Sequence, residues 1–138
     1  MSTVLIVDDE PGIRYIVSMV IKQCHLDSPD IPLNAIAAGN GSEGLDLLSR
    51  YRPELVILDN WLPDMNGSEW LERSARIWPS TVILISASAQ LEKIARTHPR
   101  TVGILSKPFK LDQLRSALQE VLDPHPQARY PKTLGFEH

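Results

Sequence analysis

Cysteine is almost absent from this sequence, since Cys24 is the single cysteine among 138 residues. One thiol cannot form an internal disulfide, and it cannot build a metal cage made of cysteines alone. The four histidines show no ligand spacing with one another or with carboxylates, so we expect no histidine metal site. A chain without disulfides suits a reducing compartment, and we therefore expect a cytoplasmic protein.

An excess of one charge and a long hydrophobic run are also missing. The chain has 17 acidic and 14 basic residues, which gives a net charge of −3. A protein that binds a nucleic-acid backbone needs a basic excess on one face, so we expect no direct nucleic-acid binding. No apolar stretch approaches about 18 residues, so we expect no membrane span. The amino-terminal residues also lack the charged region of a signal peptide.

Short apolar blocks alternate with amphipathic stretches along the chain. The apolar blocks predict five strands, at residues 4–7, 34–38, 55–58, 82–85 and 102–105. Apolar residues at helical spacing predict five helices: one beginning near Pro11 and ending before a loop at 25–32, then 42–51, 69–78, 90–97 and 111–122. Strands that are apolar on both faces are typical of an α/β fold, in which helices cover both sides of a parallel sheet.

Polar side chains stand where four of these strands end. Asp8 and Asp9 follow the first strand, Asp59 follows the third, Ser86 the fourth and Lys107 the fifth. Because the carboxyl ends of parallel strands meet at one edge of an open sheet, we expect these side chains to lie together.

Three clustered carboxylates repel one another, and one lysine cannot neutralise them, whereas a divalent cation can. Oxygen ligands without histidine or cysteine are typical of Mg²⁺. A Mg²⁺ site beside a carboxylate and a lysine suits phosphoryl transfer. Asp59 is the best candidate for the nucleophile because it stands alone at the end of the central strand, and Asp8 and Asp9 are better suited to hold the metal.

The motifs at these strand ends resemble those of the receiver domain of two-component response regulators, a CheY-like family. They are the acidic run DDEP at 8–11, Asp59 followed by Pro63 and Gly67, Ser86-Ala87, and Lys107-Pro108-Phe109. Each motif alone is common, but their order and their positions at successive strand ends make the resemblance specific. It covers about residues 3–122.

The resemblance implies a flavodoxin-like (βα)₅ fold with strand order 2-1-3-4-5. It implies that Asp59 is the phosphoacceptor of a phosphorelay and receives a phosphoryl group from a sensor histidine kinase or a phosphotransfer protein. The chain would then be a signalling switch and not a turnover enzyme. Phosphorylation would control a partner or an output domain, or self-association, through the face near the fourth and fifth strands.

The resemblance also implies how the metal is held. Mg²⁺ would be ligated directly by Asp9, Asp59 and the backbone carbonyl of Trp61, while Asp8 would act through a bound water. Trp61 occupies a position that influences how fast the acyl phosphate of this family hydrolyses. Its bulky indole leads to the hypothesis that it excludes water and prolongs the phosphorylated state.

Two further residues are implied to bind the phosphoryl oxygens, namely Ser86 and Lys107. The Lys107–Pro108 peptide bond is expected to be cis, as is common in the family. The family usually has an aromatic residue three positions before this lysine, and that position holds Ile104. Because an aliphatic side chain has no polar tip, we expect the signal to leave through another surface or with reduced amplitude.

Alternative functions differ in the residues that they need. A haloacid-dehalogenase type of Mg²⁺-dependent aspartyl phosphohydrolase needs a second aspartate two residues after the nucleophile, where this chain has Trp61. A nucleotide or flavin binder needs N–H donors in a Gly- or Ser/Thr-rich loop after the first strand, where this chain has acids. A phosphate-independent interaction module stays open as an alternative because of Ile104.

The composition changes after Asp123. Three prolines within the next eight residues interrupt any helix. We therefore expect a receiver domain at residues 1–123 and a tail or linker at residues 124–138.

Overall fold

The computed structural model describes residues 2–27, 29–30, 33–87 and 90–122. The predicted tail at 124–138 lies outside the described residues. Within them, five strands alternate with five helices: β1 (Ser2–Val7), α1 (Pro11–Asp27), β2 (Leu33–Ala38), α2 (Gly41–Tyr51), β3 (Leu55–Asp59), α3 (Gly67–Ala75), β4 (Thr81–Ser86), α4 (Leu91–Thr97), β5 (Thr101–Ser106) and α5 (Leu111–Leu122). None of the described helices combines the length and the apolar character needed to cross a bilayer.

The five strands form one parallel sheet in the order β2-β1-β3-β4-β5, which confirms the predicted fold. The first crossover connection places β2 on one side of β1, and the later connections place β3, β4 and β5 on the other side. The strand order therefore reverses at β1 and β3, and ligands of such sheets bind at the carboxyl ends next to this reversal.

The register of the central strands brings the acidic residues to one level. Val7 of β1 pairs with Leu58 of β3, so the next residues, Asp8 and Asp59, lie side by side. On the other side of β3, Asp59 pairs with the residue before Ser86. The end of β5 lies directly beside the end of β4. Pairing of neighbouring strands, and not proximity along the chain, thus assembles this edge of the sheet.

Both faces of the central strands β1, β3 and β4 are buried, as the uninterrupted apolar strands predict. Alternate side chains of one strand enter opposite core layers. Ile6 and Ile57 pack in a layer with α1 and α5, whereas Leu5 and Leu58 pack in a layer with α2 and α3. Burying each such side chain contributes about 1.5–3 kcal/mol, so the two layers hold the strand ends in a fixed frame.

Two helices end elsewhere than the sequence pattern predicts. Helix α1 continues to Asp27, so the predicted loop from residue 25 begins later. Helix α3 ends at Ala75, short of the predicted end at Trp78. Trp78 precedes Pro79, which disfavours helical backbone at the preceding residue. The Trp78 N–H instead donates to the carbonyl of Ser74 in a closing turn.

Candidate functional site

Strand β1 brings Asp8 to the carboxyl end of the sheet, where its side chain is fully buried. Its backbone N–H donates to the Ala38 carbonyl at the end of β2 (3.1 Å). Its own carbonyl accepts a hydrogen bond from the Arg14 guanidinium of α1 (2.7 Å). The Oδ1 atom accepts from the backbone N–H of Glu10 (2.9 Å). Contacts from three segments therefore fix the orientation of Asp8.

Strand β3 ends in Asp59, which is also buried. Its Oδ1 atom accepts from the backbone N–H of Trp61 (3.1 Å). The chain then turns back, and the Gly67 N–H donates to both the carbonyl (2.8 Å) and the Oδ1 atom (3.1 Å) of Asn60. Helix α3 begins at Gly67. The interval between Asp59 and Gly67 thus forms a closed loop, residues 60–67, which we call the β3–α3 loop.

Lys107 joins the acidic groups from the end of β5. Its Nζ atom lies 3.1 Å from Asp59 Oδ2, 3.1 Å from Asp8 Oδ2 and 2.6 Å from Glu10 Oε2. Burial opposes the charged form of Lys107, but the carboxylates of Glu10, Asp8 and Asp59 outweigh it and hold the pKa of the ammonium above its ordinary value. The Lys107–Pro108 peptide bond is cis. The ammonium form of Lys107 is therefore favoured by the three acids around it.

The ionised form of Asp8 is disfavoured in the folded protein. Burial raises the pKa of the carboxyl above its ordinary value, although the Glu10 N–H and the Lys107 ammonium act in the opposite direction. Its buried Oδ2 atom contacts Lys107 as an ion pair but accepts no hydrogen bond from the described residues. The ion pair with Lys107 offsets part of the cost of burying this oxygen, and a cation bound beside it would offset more.

The acidic groups open into a cleft of about 720 Å³ at this edge of the sheet. Asp9, Trp61 and Ser86 line it together with Asp59 and Lys107. Ser86 is buried, whereas Asp9 is exposed and the Trp61 side chain is 60% exposed. The residues predicted from the strand ends therefore border one solvent-accessible space, with the exception of Asp8, whose side chain is fully buried.

The carboxylate oxygens of Asp8, Glu10 and Asp59 come within 4.8 Å of one another. This set of hard oxygen donors, with a buried oxygen of Asp8 lacking a hydrogen bond, fits a divalent cation such as Mg²⁺. Sequence reasoning did not assign Glu10, and Asp9 is not part of this closest group. The sequence signal for Glu10 is its place in the acidic run after β1, which does not by itself predict the contact with Lys107.

Ile104 lies on β5 at the register position opposite Leu84 and is 36% exposed. Its neighbour on the same face of the strand, Val102, is 56% exposed. Strand β5 is the edge of the sheet, so these apolar side chains border the surface beside α4. The residue in the family's usual aromatic position is thus an aliphatic one that remains partly open to solvent.

Comparison with known proteins gives consistent matches. The family model of the response regulator receiver domain matches residues 4–119. The chain is 33% identical over 121 residues to sporulation initiation phosphotransferase F of Bacillus subtilis, covering 86% of this chain and 92% of that protein. It is 33% identical over 122 residues to the probable transcriptional regulatory protein TcrX of Mycobacterium tuberculosis, covering 87% of this chain and 49% of that protein.

Another relative matches this chain over a smaller part of its own length. It is 36% identical over 87 residues to a protein-glutamate methylesterase/protein-glutamine glutaminase of Agrobacterium fabrum, covering 63% of this chain and 23% of that protein. The chain therefore spans less than a quarter of this methylesterase and about half of the transcriptional regulator.

A solved structure of the chemotaxis protein CheY4 of Vibrio cholerae superimposes with a TM-score of 0.74 at 25% identity, covering 88% of this chain and 99% of that one.

Proposed function

This chain belongs to the family of response regulator receiver domains, and on that basis we propose that Asp59 receives a phosphoryl group from a sensor histidine kinase or a phosphotransfer protein. The observation that carries this proposal is the position of Lys107, whose ammonium contacts the carboxylates of both Asp8 and Asp59. A cation at this point neutralises the acceptor and the incoming phosphoryl oxygens together. A purely structural site would not need three acids around one lysine.

The proposed step is a displacement at phosphorus. A carboxylate oxygen of Asp59 forms a bond to the phosphorus atom while the bond between phosphorus and the donor's imidazole nitrogen breaks, and the electron pair of that bond stays on the nitrogen. Lys107 then pairs with a phosphoryl oxygen, and the hydroxyl of Ser86 donates a hydrogen bond to another. Both side chains border the same cleft as Asp59, which supports these roles.

We assign the metal to the acidic residues of the same cleft. Asp9, Asp59 and the backbone carbonyl of Trp61 would hold Mg²⁺ directly, and Asp8 would act through a water. The proximity of Glu10 to Asp8 and Asp59 adds it to the candidate donors. When bound, Mg²⁺ supplies positive charge to the transferring phosphoryl group.

In this proposal the protein is a switch and not a turnover enzyme, and it acts in the cytoplasm. The methylesterase activity named for one relative is not transferred, because the chain covers only 23% of that protein. Phosphorylation biases the surface beside β4 and β5, where an output domain, a partner or a second copy reads it. Ile104 occupies the position that is usually aromatic in the family. The conformational change at this surface is therefore smaller than the change that an aromatic side chain would produce. The receiver unit is assigned to residues 1–123, and residues 124–138 to a tail or linker.

Intact mass spectrometry after incubation with acetyl phosphate tests the proposal. Wild type should gain one phosphoryl group with Mg²⁺ present and little without it. Asp59→Asn should gain none, whereas Asp46→Asn, an exposed aspartate of α2 paired with Arg50, should behave as wild type. An adduct on the Asp59→Asn variant would contradict the assignment. A wild type that stays unmodified would favour the phosphate-independent interaction module, and steady release of inorganic phosphate from many substrates would favour a phosphohydrolase.

A further inference from the structure

We propose that Asp64 is a positioning residue of the metal site, because it anchors the β3–α3 loop to helix α2 and so fixes the backbone that carries the Trp61 carbonyl. The inference rests on the proposed function, in which this carbonyl is a ligand of Mg²⁺. Asp64 lies outside the cleft-lining residues and is itself exposed. Its role would therefore be exerted through the loop and not by contact with the metal.

The β3–α3 loop is closed at its base by its own backbone. Trp61 and Asn66 form an antiparallel bridge, and the Leu62 N–H donates to the Met65 carbonyl (3.2 Å). The loop is therefore a narrow turn whose tip consists of Pro63 and Asp64. Trp61 is therefore separated from the tip by Leu62 alone, so a displacement of the tip is transmitted to the Trp61 backbone.

Asp64 ties this tip to the first turn of α2. Its Oδ1 atom accepts from the Gly41 N–H (2.8 Å), and its Oδ2 atom accepts from the Ser42 N–H (2.9 Å). Slight burial acts against the charged form, but these two N–H groups hold the pKa of Asp64 below its ordinary value. A carboxylate at the amino terminus of a helix also interacts favourably with the helix dipole. The tip thus has a two-point attachment to a neighbouring element.

Packing at the same junction leaves little freedom for the loop. A Cβ atom on Gly41 would lie within 2.6–2.8 Å of the Met65 side chain, so Met65 of the loop packs directly against α2 at Gly41. The Trp70 indole N–H donates to the Gly41 carbonyl (3.1 Å). Three adjacent contacts therefore join α2 to the β3–α3 loop and to the start of α3.

Helix α2 has its own cap without Asp64. The Asn40 side chain accepts from the Glu43 N–H (2.8 Å), and the Glu43 side chain accepts from the Gly39 N–H (2.8 Å). Removing Asn40 should weaken α2 without touching the β3–α3 loop. Removing Asp64 should weaken α2 and release the loop. The two variants therefore separate helix capping from loop positioning.

The test measures the affinity for Mg²⁺ alone, by titration of the intrinsic tryptophan fluorescence, to which Trp61 at the cleft contributes together with Trp70 and Trp78, and independently by calorimetry. We expect Asp64→Ala to raise the Mg²⁺ Kd by about tenfold, the size typical of groups that orient a metal ligand. Asp64→Asn, which keeps one acceptor oxygen, should lie between Asp64→Ala and wild type. Asn40→Ala should lower the melting temperature about as much as Asp64→Ala and leave the Kd unchanged.

Equal Mg²⁺ Kd values for wild type and Asp64→Ala would overturn the inference. An equal rise of the Mg²⁺ Kd in Asp64→Ala and in Asn40→Ala would overturn it as well. If wild type itself binds no Mg²⁺, the metal part of the proposed function fails instead. The phosphoryl adduct on Asp59 is measured separately, so failure of the acceptor assignment remains distinguishable from failure of the positioning role.

Discussion

The Lys107 ammonium lies 3.1 Å from Asp59 Oδ2, although 48 positions separate the two residues in the chain. The contact joins the end of β5 to the end of β3 across the intervening strand β4. Asp8 and Glu10 place two more carboxylates around the same ammonium. Lys107 thus supplies positive charge that partly neutralises these three carboxylates.

Lys107→Met should destabilise the metal-free protein. Methionine keeps a similar aliphatic volume but leaves the buried carboxylates of Asp8 and Asp59 without a cation. Breaking such a pair should cost about 2 kcal/mol, less than for a fully enclosed pair because Glu10 is open to solvent. Urea unfolding at neutral pH measures this change, and the loss should shrink when Mg²⁺ is added. Lys110→Met, an exposed lysine nearby, is the matched control. Equal stability of the two variants would refute the electrostatic interpretation.

Asp8→Asn should have the opposite effect and raise stability at neutral pH without Mg²⁺. Burial raises the pKa of Asp8, so the folded state holds its proton more tightly than the unfolded state does. The free energy of unfolding therefore falls as the pH rises from the ordinary value through the raised folded pKa. Asparagine removes this loss, since it stays uncharged.

Thermal melts of wild type and Asp8→Asn from acidic to neutral pH show whether the substitution raises or lowers stability. The two curves should separate as the pH rises, with the variant above wild type. Addition of Mg²⁺ should stabilise wild type more than the variant. A variant that is less stable than wild type at neutral pH would show that the ionised carboxylate supports the fold.

The glycine of the acceptor motif, Gly67, is explained by close packing. A Cβ atom there would lie 2.6 Å from Asn60 Oδ1 and 3.2 Å from Asn60 Cα, and the second of these is a backbone atom. Gly67→Ala should therefore cost about 1–3 kcal/mol. Gly12 lies in α1 with no atom within 4 Å of an added Cβ, so Gly12→Ala should stabilise by about 0.5–1 kcal/mol. Denaturant unfolding of Gly67→Ala and Gly12→Ala compares the change in the free energy of unfolding that each substitution causes. Equal changes in the two variants would contradict this packing argument.

Trp61→Asn should shorten the life of the phosphorylated state. The Trp61 indole borders the cleft beside Asp59, where its bulk would hinder an attacking water. The decay of the adduct can be followed by intact mass after the phosphodonor is removed. Trp61→Phe, which keeps an aromatic ring, should decay more slowly than Trp61→Asn. If Trp61→Asn decays no faster than wild type, the indole does not protect the phosphate.

The strands of the sheet were predictable because each apolar block is bounded by turn residues. The site was predictable because the strand ends that bear polar side chains all meet at the same edge of the sheet. The sequence pattern is therefore sufficient to predict that Asp8, Asp59, Ser86 and Lys107 lie together. The end of α3 at Ala75 was less predictable, since the amphipathic pattern continues to Trp78 and only the following proline signals the stop.

Two acidic residues of the site region illustrate what the sequence could not reveal. Glu10 belongs to the run that ends β1, but its contact with Lys107 depends on how the loop curves over the sheet edge. Asp64 reads as a turn residue beside Pro63, and its bonds to α2 join segments more than 20 positions apart. Long-range contacts of loop side chains leave no periodic trace, unlike the strands and helices that position them.

The central claim is that Asp59 itself carries the phosphoryl group, and reductive trapping tests it most directly. Borohydride reduces the acyl carbon of an aspartyl phosphate in two steps: a first hydride displaces phosphate and leaves an aldehyde, and a second hydride reduces that aldehyde to the alcohol of homoserine. Peptide mass mapping of protein treated with acetyl phosphate and Mg²⁺ should place homoserine at position 59 alone. Homoserine at position 8 or 9, or a phosphoryl adduct that yields no homoserine, would contradict the account.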